Sequence, residues 1–350
     1  MHSDRSVSHT TAVRHGHELD ATALEGYLAA ALADFRGPLE IRQFEGGQSN
    51  PTYFLRTPSR DYVLRKKPPG QLLPSAHAVE REHRVMRALA ATGIPVPPTL
   101  LMCDDAAIIG TPFFIMGCVD GRVFRQPHLP GVNASDRAAM YADMAGVLAR
   151  LHQVDVDAIG LADYGKPGNY YARQIGRWGQ QYAAAKSEEI ESMDRLTAWL
   201  PAHIPPGDET AIVHGDYRIE NLIFHPTEPR IVAIVDWELS TLGHPLADLA
   251  YNCLTYHLPA EALGLVASTD TDRTGMPTEQ EYVAMYCERS GRSHIPQWNF
   301  YLAFSMFRLA SILQGVYARG LQGNAASSYA LQRGKAARVI ADIAWRLARS

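Results

Sequence analysis

The chain has 350 residues, of which 46% are hydrophobic, with a formal net charge of −4 and an isoelectric point near 6.4. This length favours about two domains. The charge gives no basic field for nucleic acid or an anionic membrane surface, and no apolar run reaches the roughly 18 residues of a membrane span. We therefore expect a cytoplasmic globular protein that binds neither nucleic acid nor membrane, and the oligomeric state stays open.

The first part of the chain is predicted to be a β-rich lobe. Residues 1–18 are polar and are expected to be disordered, and Asp20 is placed to cap the N-terminus of an amphipathic helix. Residues 39–64 form short extended pieces broken by turns, which is typical of an antiparallel sheet. A helix then ends at Gly93 and two more strand candidates follow. Residues 19–119 are therefore predicted to form an N-terminal lobe.

The remainder, residues 120–350, is predicted to be a mainly helical lobe. Long segments rich in Ala, Leu and Arg repeat their apolar residues at helical intervals. The strong strand signals here are three short apolar runs, AIVH, NLIF and IVAIVD, within residues 211–236. The predicted fold class is accordingly α+β, with two lobes joined near residues 116–121.

Polar side chains adjoin these strands in the sequence HGDYRIENLIF. Asp216 precedes Asn221 by five positions, and Asp236 ends the next strand, where a hairpin would bring it beside Asn221. Carboxylate and amide oxygens suit Mg²⁺, which takes few protein ligands and completes its shell with water and phosphate oxygens. Metal-bound ATP is therefore the expected ligand. For any one of these residues, a turn in which the side chain caps backbone amides is an equally simple interpretation. The choice between this interpretation and a metal–nucleotide site therefore depends on whether several sequence elements occur in the expected order.

The pattern D-x-x-x-x-N followed by a strand-ending Asp resembles the catalytic and metal-binding loops of the protein kinase-like fold. The form HGD is similar to the aminoglycoside phosphotransferase and choline kinase-like superfamily, whose fold has two lobes. This resemblance implies that Asp216 accepts the proton of a substrate hydroxyl and that Asn221 and Asp236 hold Mg²⁺. It also implies that Arg218 stabilises charge on the transferred phosphoryl group. The expected cofactors are ATP and Mg²⁺.

Two upstream stretches fit nucleotide-binding elements of the same superfamily. Gly46, Gly47 and Ser49 suit a loop that covers phosphates, although Gly-Gly more often marks an ordinary hairpin. The strand FFIMG runs into the lobe junction, so the backbone of Gly117 and Val119 resembles the hinge that bonds adenine. These hydrogen bonds use main-chain atoms. The identity of the side chains therefore gives little evidence for or against adenine binding at these positions.

A basic strand and the helix after it follow the superfamily order with one departure. Arg65 takes the strand position usually held by Lys, and a slip in register would put Lys66 or Lys67 there instead. The spacing favours Glu82 as the ion-pair partner of Arg65, with Glu80 on another face of the helix. Solvated charges on a strand end and on a helix are the simpler alternative.

Three further polar residues are interpreted structurally. His152 lies on a helix rich in Ala and Leu and is assigned to the core or to the helix end. His214 is expected to position its loop. Asp248 resembles the residue that braces the catalytic loop in the superfamily, and a plain charge at a helix N-terminus is an equally simple account.

The stretches HGDYRIENLIFHP and VDWELSTLGHPLADLAY look most like the kinase-like domain associated with acyl-CoA dehydrogenases. This resemblance implies a small anionic acceptor, a hydroxy acid or a hydroxyacyl-CoA. Arg308 and Arg319, about three helical turns apart, could lie on one face and attract its anionic group, although solvent-exposed or structurally paired arginines are the more common case. An aminoglycoside or choline-type acceptor is one alternative. A catalytically silent nucleotide-binding protein of the same fold is the other, kept open by Arg65 in the Lys position.

Overall fold

The chain is described by a computed structural model over residues 10–45, 50–68, 77–269, 271–321, 331 and 334–350. It divides into two compact units, Met1–Val123 with Asn221–Leu239 and Phe124–Glu220 with Ser240–Ser350. The first unit is β-rich and the second mainly helical, as the α+β prediction requires. The division differs from the predicted lobes because the first unit ends at Val123 and also includes the strands that follow Glu220.

The first unit is built on an antiparallel sheet that has six strands within the described residues. They are β1 Thr10–Thr11, β2 Glu40–Phe44, β3 Thr52–Arg56, β4 Tyr62–Lys66, β5 Thr99–Cys103 and β6 Phe113–Gly117. Their order is β1-β2-β3-β4-β6-β5. Disorder was expected up to residue 18, yet Thr10 pairs with Phe44 and Thr11 with Gln43. Residues 1–9 lie outside the described part of the chain.

One helix packs on each face of this sheet. Helix α1, Ala21–Ala31, begins after Asp20, whose Oδ1 accepts a hydrogen bond from the Ala23 amide at 2.9 Å as predicted. Its buried leucines pack against Tyr62 and Leu64 of β4. Helix α2, Val79–Leu89, contacts β5 and β6. Because strand side chains alternate between faces, Arg65 points away from the α1 side and towards α2.

Short strands frame the sequence motif that follows residue 210. Strands β7 Arg122–Val123, β9 Leu222–Phe224 and β10 Ile231–Ile234 form a sheet of order β10-β9-β7 in the first unit, while β8 Ala211–Val213 and β11 Thr241–Gly243 pair in the second. The three predicted strands are thus present. The partner strands β7 and β11 were not predicted. A strand of two or three residues is too short to show the alternation of apolar and polar residues from which strands are predicted.

The second unit is helical, as predicted. Its remaining described helices are α3 Ala134–His152, α4 Tyr170–Ala185, α5 Glu191–Ala202, α6 Leu246–Asn252, α7 Ala260–Leu263, α8 Glu279–Ser290, α9 Trp298–Leu321 and α10 Ala336–Ala348. Helix α9 contacts α4, α6 and α10, and α3 packs along α8. Among the helices in the described ranges, none is long and apolar enough to cross a membrane.

Arg137 of α3 holds together two loops of the second unit. Its side chain is buried, and it donates hydrogen bonds to the carbonyl oxygens of His128 at 2.6 Å, Val132 at 2.7 Å and Thr274. A buried carbonyl that loses its donor retains the full cost of leaving water. Arg137 is therefore the side-chain partner of three backbone carbonyl groups, and its bond to Val132 is fully buried.

We expect Arg137→Met to lower the free energy of unfolding by about 3 kcal/mol, because three carbonyl oxygens lose a charged donor at once. Urea denaturation followed by circular dichroism measures this change. Arg346→Met, at an exposed position of α10, is the matched control and should change stability by less than about 0.5 kcal/mol. Equal effects of the two substitutions would contradict this role of Arg137.

Candidate active site

Arg65 is the centre of a buried ionic cluster in the first unit. Its side chain is 8% exposed, and its Nε lies 2.7 Å from Glu82 Oε2, although the angle of this contact is not that of a hydrogen bond. Its Nη2 donates to Asp236 Oδ1 at 2.5 Å and lies 3.5 Å from Glu238 Oε2. The predicted pair with Glu82 is therefore present, and two further carboxylates join it.

The two lysines after Arg65 lie elsewhere. Lys67 forms an ion pair with Glu80 at 2.8 Å on the surface. Lys66 follows Arg65 directly in β4, so its side chain leaves the opposite face of the sheet. The register is thus the one predicted for Arg65, and the alternatives with Lys66 or Lys67 at this position are excluded for the structure.

The charges of this cluster depend on one another. Burial alone would lower the pKa of Arg65, but the carboxylates of Glu82, Asp236 and Glu238 raise it. Burial raises the pKa of Glu82, an effect that the Arg65 charge and a hydrogen bond from the Trp237 backbone oppose. Glu82 is therefore a carboxyl group whose ionised form depends on Arg65.

Asn221 and Asp236 are brought close by the hairpin of β9 and β10. The Val235 amide donates to the Asn221 carbonyl oxygen at 2.9 Å, and Asp236 is the next residue. Asp236 has φ of 68°, a left-handed conformation that costs a non-glycine residue about 1 kcal/mol or more and that clusters at functional sites. One amide and one carboxylate are a donor set that suits Mg²⁺ with water and phosphate oxygens as further ligands. The residues fit the predicted ion.

The described residues contain no group of three or more His, Cys, Asp and Glu side chains arranged to hold a metal. Glu238 nevertheless extends the acidic side of the cluster and was not predicted. Its Oε2 accepts from Asn50 Nδ2 at 3.1 Å, and Asn50 Oδ1 lies 3.1 Å from His77 Nδ1. The available signal was a second acidic residue two positions after Asp236, which sequence reasoning did not weigh.

The predicted nucleotide-binding backbone is described only in part. Gly46, Gly47 and Ser49 lie outside the described residues. The Gly117 amide donates to the Pro98 carbonyl oxygen at 2.8 Å, so an adenine contact at Gly117 would have to use its carbonyl oxygen. The role predicted for Val119 stays a prediction.

In the second unit, Asp216 sits in a loop whose side chains surround its carboxylate. Its own amide donates to His214 Nδ1 at 3.2 Å, and Arg218 Nε lies 3.2 Å from its Oδ2. Arg218 also pairs with Glu220 at 2.8 Å. Burial raises the pKa of Tyr251, and the neighbouring Asp216 carboxylate raises it further. The Asp216 side chain remains 15% exposed. The structure thus brings together Asp216 and Arg218 as predicted and adds Tyr251.

Asp248 braces this loop through the backbone. It is 1% exposed, and its two carboxylate oxygens accept from the amides of His214 at 2.6 Å and Gly215 at 2.8 Å. Burial would raise the pKa of Asp248, but bonds from the His152 ring and the His214 amide lower it. Asp248 therefore braces the loop that contains Asp216, and it also lies in the first turn of α6, so both interpretations describe its position.

Arg308 holds the carbonyl group of Gly215, the residue whose amide Asp248 holds. Its Nη2 donates to the Gly215 carbonyl oxygen at 2.7 Å, and its guanidinium stacks on the rings of Tyr251 at 5.3 Å and Trp178 at 5.7 Å. Arg308 is buried whereas Arg319 is exposed. Arg308 is therefore structurally paired and Arg319 exposed, which is the more common of the two cases weighed for these arginines. A contact of either with an acceptor stays a prediction.

A cavity of about 720 Å³, which includes the space at its open mouth, lies in the second unit. Two of its lining residues are neighbours of Asp216, since Arg218 forms an ion pair with the Asp216 carboxylate, and burial together with that carboxylate raises the pKa of Tyr251. The other lining residues are mainly apolar, with Arg125, Glu220, Asn252 and Thr255 as polar members. Arg125 was missed by sequence reasoning because it lies in no recognisable motif.

The model of the family described as "Phosphotransferase enzyme family" matches residues 40–285, which include both the Arg65 cluster and the Asp216 loop. The chain belongs to this family. The enzyme is accordingly a phosphotransferase, and its β-rich and helical units are those of the protein kinase-like fold.

Three comparisons refine this assignment. The mouse protein named acyl-CoA dehydrogenase family member 10 is 50% identical over 98% of this chain, which spans only 32% of that relative. A crystal structure from Ralstonia eutropha, described provisionally as an aminoglycoside phosphotransferase, is 48% identical over 95% of this chain and 99% of the other, with a TM-score of 0.86. A spectinomycin phosphotransferase shares the fold, with 13% identity over 94% of this chain and 98% of the other and a TM-score of 0.64.

We expect Arg65→Met to lower the free energy of unfolding by about 3 kcal/mol, because Glu82 and Asp236 lose their buried counter-charge. The double substitution Arg65→Met with Glu82→Leu should recover much of that loss, since no buried carboxyl group is then left without its partner at this position. Urea denaturation of the three proteins measures both effects. Additive losses in the double variant would show that Arg65 and Glu82 do not depend on each other.

His244 should make stability depend on pH. It packs between the rings of Tyr171 and Tyr301 just before α6, and burial lowers its pKa to about 4. The unfolded chain takes up this proton near pH 6.5, whereas the folded chain resists it until about pH 4. The contribution of His244 is therefore complete above pH 6.5 and falls by about 3 kcal/mol as the pH drops to 4.

Denaturation of His244→Asn between pH 7 and 4 tests this linkage. The stability difference from the unsubstituted protein should shrink as the pH falls, because the variant lacks the titrating group. His294→Asn, at an exposed position, should run parallel to the unsubstituted protein at every pH. A constant difference for His244→Asn across the range would exclude this residue as the source.

Proposed function

We propose that this phosphotransferase transfers the γ-phosphoryl group of ATP to a hydroxyl group of a small anionic acceptor, with Asp216 as the proton acceptor. The observation that supports this most is that Asp216 is partly exposed, pairs with Arg218 and neighbours Tyr251, two residues that line the cavity. A general base must lie within hydrogen-bond reach of the proton it takes. We infer that an acceptor bound in the cavity extends its hydroxyl past Arg218 and Tyr251 to Asp216, which does not itself line the cavity.

The nucleotide is assigned to the first unit. Arg65 carries a permanent charge and is fixed by Glu82, as a group that meets phosphate oxygens needs to be. Asn221 and Asp236 would hold Mg²⁺, whose contribution when bound is to neutralise charge on the phosphate oxygens. The spectinomycin phosphotransferase of the same fold was solved with ADP and spectinomycin, which supports an adenine nucleotide and a small-molecule acceptor.

The acceptor class proposed is a hydroxy acid or a hydroxyacyl-CoA. The cavity has a mainly apolar lining that also contains two cationic residues, Arg125 and Arg218, and one acidic residue, Glu220. The charged residues of the lining therefore have a net charge of +1. Such a lining suits a molecule with a hydrocarbon part and an anionic group better than a polycationic antibiotic. The similarity to a protein named for acyl-CoA dehydrogenase activity agrees with an acyl-type acceptor.

An aminoglycoside acceptor is the second candidate, because the Ralstonia relative carries that provisional description. An acceptor screen by ADP release separates the two, with hydroxy acids, hydroxyacyl-CoAs, choline analogues and aminoglycosides in parallel. Turnover of aminoglycosides alone would keep the reaction and reject our acceptor class. The absence of turnover with every acceptor, together with tight ATP binding, would favour the catalytically silent alternative.

We expect Asp216→Asn to bind ATP in the presence of Mg²⁺ with affinity within about 3-fold of the unsubstituted protein, while its turnover falls on the order of 10²–10⁴-fold. The substitution keeps the shape of the side chain and removes only its capacity to accept a proton. Calorimetry measures binding, and ADP release with the best acceptor measures turnover. Asp157→Asn, at an exposed position in the same unit, should leave both unchanged. Full turnover by Asp216→Asn would reject the mechanism.

A further inference from the structure

A line of buried side chains leads away from the Asp216 loop into the helical core. Asp248 Oδ2 lies 3.4 Å from His152 Nε2, and His152 Nδ1 lies 2.8 Å from the Tyr286 hydroxyl. The side chains of His152 and Asp248 are 2% and 1% exposed. Three helices, α3, α8 and α6, thus contribute one polar side chain each to a continuous path that ends on the loop backbone.

The far end of the path lies beside an ion pair. Burial raises the pKa of Tyr286, and the charge of the neighbouring Arg292 opposes this shift. Arg292 pairs with Glu209 through Nη1 at 2.9 Å. Tyr286 belongs to α8 and is fully buried, so the position of its hydroxyl is set independently of the loop and can anchor the His152 ring.

The chemistry of the groups determines what each one supplies. Asp248 Oδ1 accepts only the Gly215 amide among the bonds described above, whereas Oδ2 accepts the His214 amide and faces the His152 ring. A neutral imidazole donates from one nitrogen and accepts at the other. If Tyr286 donates to Nδ1, the ring proton is on Nε2 and is directed at Asp248. His152 then stabilises the carboxylate that holds two loop amides.

We propose that His152 is a positioning residue for Asp216, and that Tyr286 fixes its tautomer and orientation. The proposal goes beyond the assignment of His152 to the core, and its effect on turnover rests on the proposed role of Asp216. Loss of the His152 donor leaves Asp248 buried with less compensation, so the two amide bonds to His214 and Gly215 weaken. Asp216 follows Gly215 directly and loses its fixed position. Misplacement of a catalytic group by about 1 Å can cost on the order of 10²-fold in rate.

The chain offers a matched pair of tyrosines on α8. Tyr286 and Tyr282 are one helical turn apart and both fully buried, but within the described residues the Tyr282 hydroxyl has no hydrogen-bond partner. Tyr286→Phe therefore removes the anchor of His152, whereas Tyr282→Phe removes a hydroxyl that bonds nothing. For His152 itself, Gln places an amide donor where Nε2 lies, and Leu supplies packing alone.

The first measurement is hydrogen exchange of the backbone, by mass spectrometry of peptides that cover residues 211–218. It needs no acceptor. We expect His152→Leu and Tyr286→Phe to increase exchange of the His214 and Gly215 amides at least several-fold, with Tyr282→Phe unchanged and His152→Gln close to the unsubstituted protein. Thermal unfolding establishes that each variant is folded under the conditions of the exchange.

The second measurement is steady-state turnover with the best acceptor from the screen. His152→Leu and Tyr286→Phe should lower kcat about 10-fold or more while KM for ATP changes less than about 3-fold, because the nucleotide is held by the first unit. His152→Gln should restore most of kcat. A core residue that only packs would give the opposite order, with Leu tolerated and Gln damaging.

The outcomes separate this proposal from the proposed function. Unchanged exchange of the His214 and Gly215 amides in both His152→Leu and Tyr286→Phe would overturn the positioning role whatever the activity. Equal effects of Tyr286→Phe and Tyr282→Phe would overturn it as well. Faster exchange in a protein that turns over no acceptor would support the link between His152 and the loop while rejecting the kinase assignment.

Discussion

The structure of the first unit depends on a buried positive charge. Arg65 lies in the middle of a sheet, where a guanidinium is tolerated only with carboxylates around it. These come from α2 through Glu82 and from the segment after β10 through Asp236 and Glu238. One charge therefore fixes a strand, a helix and a loop relative to one another, and it does so with the planar, multi-donor geometry that distinguishes Arg from Lys.

In the second unit, two charged side chains hold both backbone polar groups of a single residue, Gly215. The Gly215 amide donates to a buried carboxylate of α6, and the Gly215 carbonyl oxygen accepts from a buried guanidinium of α9. Both partners are charged and neither has free access to water, so the bonds are stronger than those between neutral groups. The residue after Gly215 is Asp216. The backbone of Asp216 is thus restrained by helices rather than by the conformational preferences of its own loop.

Sequence reasoning reached the fold class, the strands of the motif and the Arg65–Glu82 pair, because these leave periodic or ordered signals along the chain. It failed where the deciding contact is distant and has no local pattern. For Arg308 an acceptor contact and a structural pair both stayed open, because helical spacing shows a face but not its neighbour, and that neighbour is the Gly215 carbonyl. Arg125 and Tyr251 were missed since only folding brings them beside Asp216 or its cavity. Glu238 was missed although its spacing from Asp236 was visible.

The replacement of the strand lysine by Arg65 also changes how this enzyme can be detected in a mixture of proteins. A nucleotide analogue that carries an acylating group would form an amide with a primary amine, such as that of a lysine at this strand position. A guanidinium with a raised pKa is a poor nucleophile and does not form the amide. Of the two nearby amines, Lys66 leaves the opposite face of the sheet and Lys67 is paired with Glu80. Surveys based on amine capture would therefore under-count enzymes with this substitution, even where they are abundant and bind nucleotide.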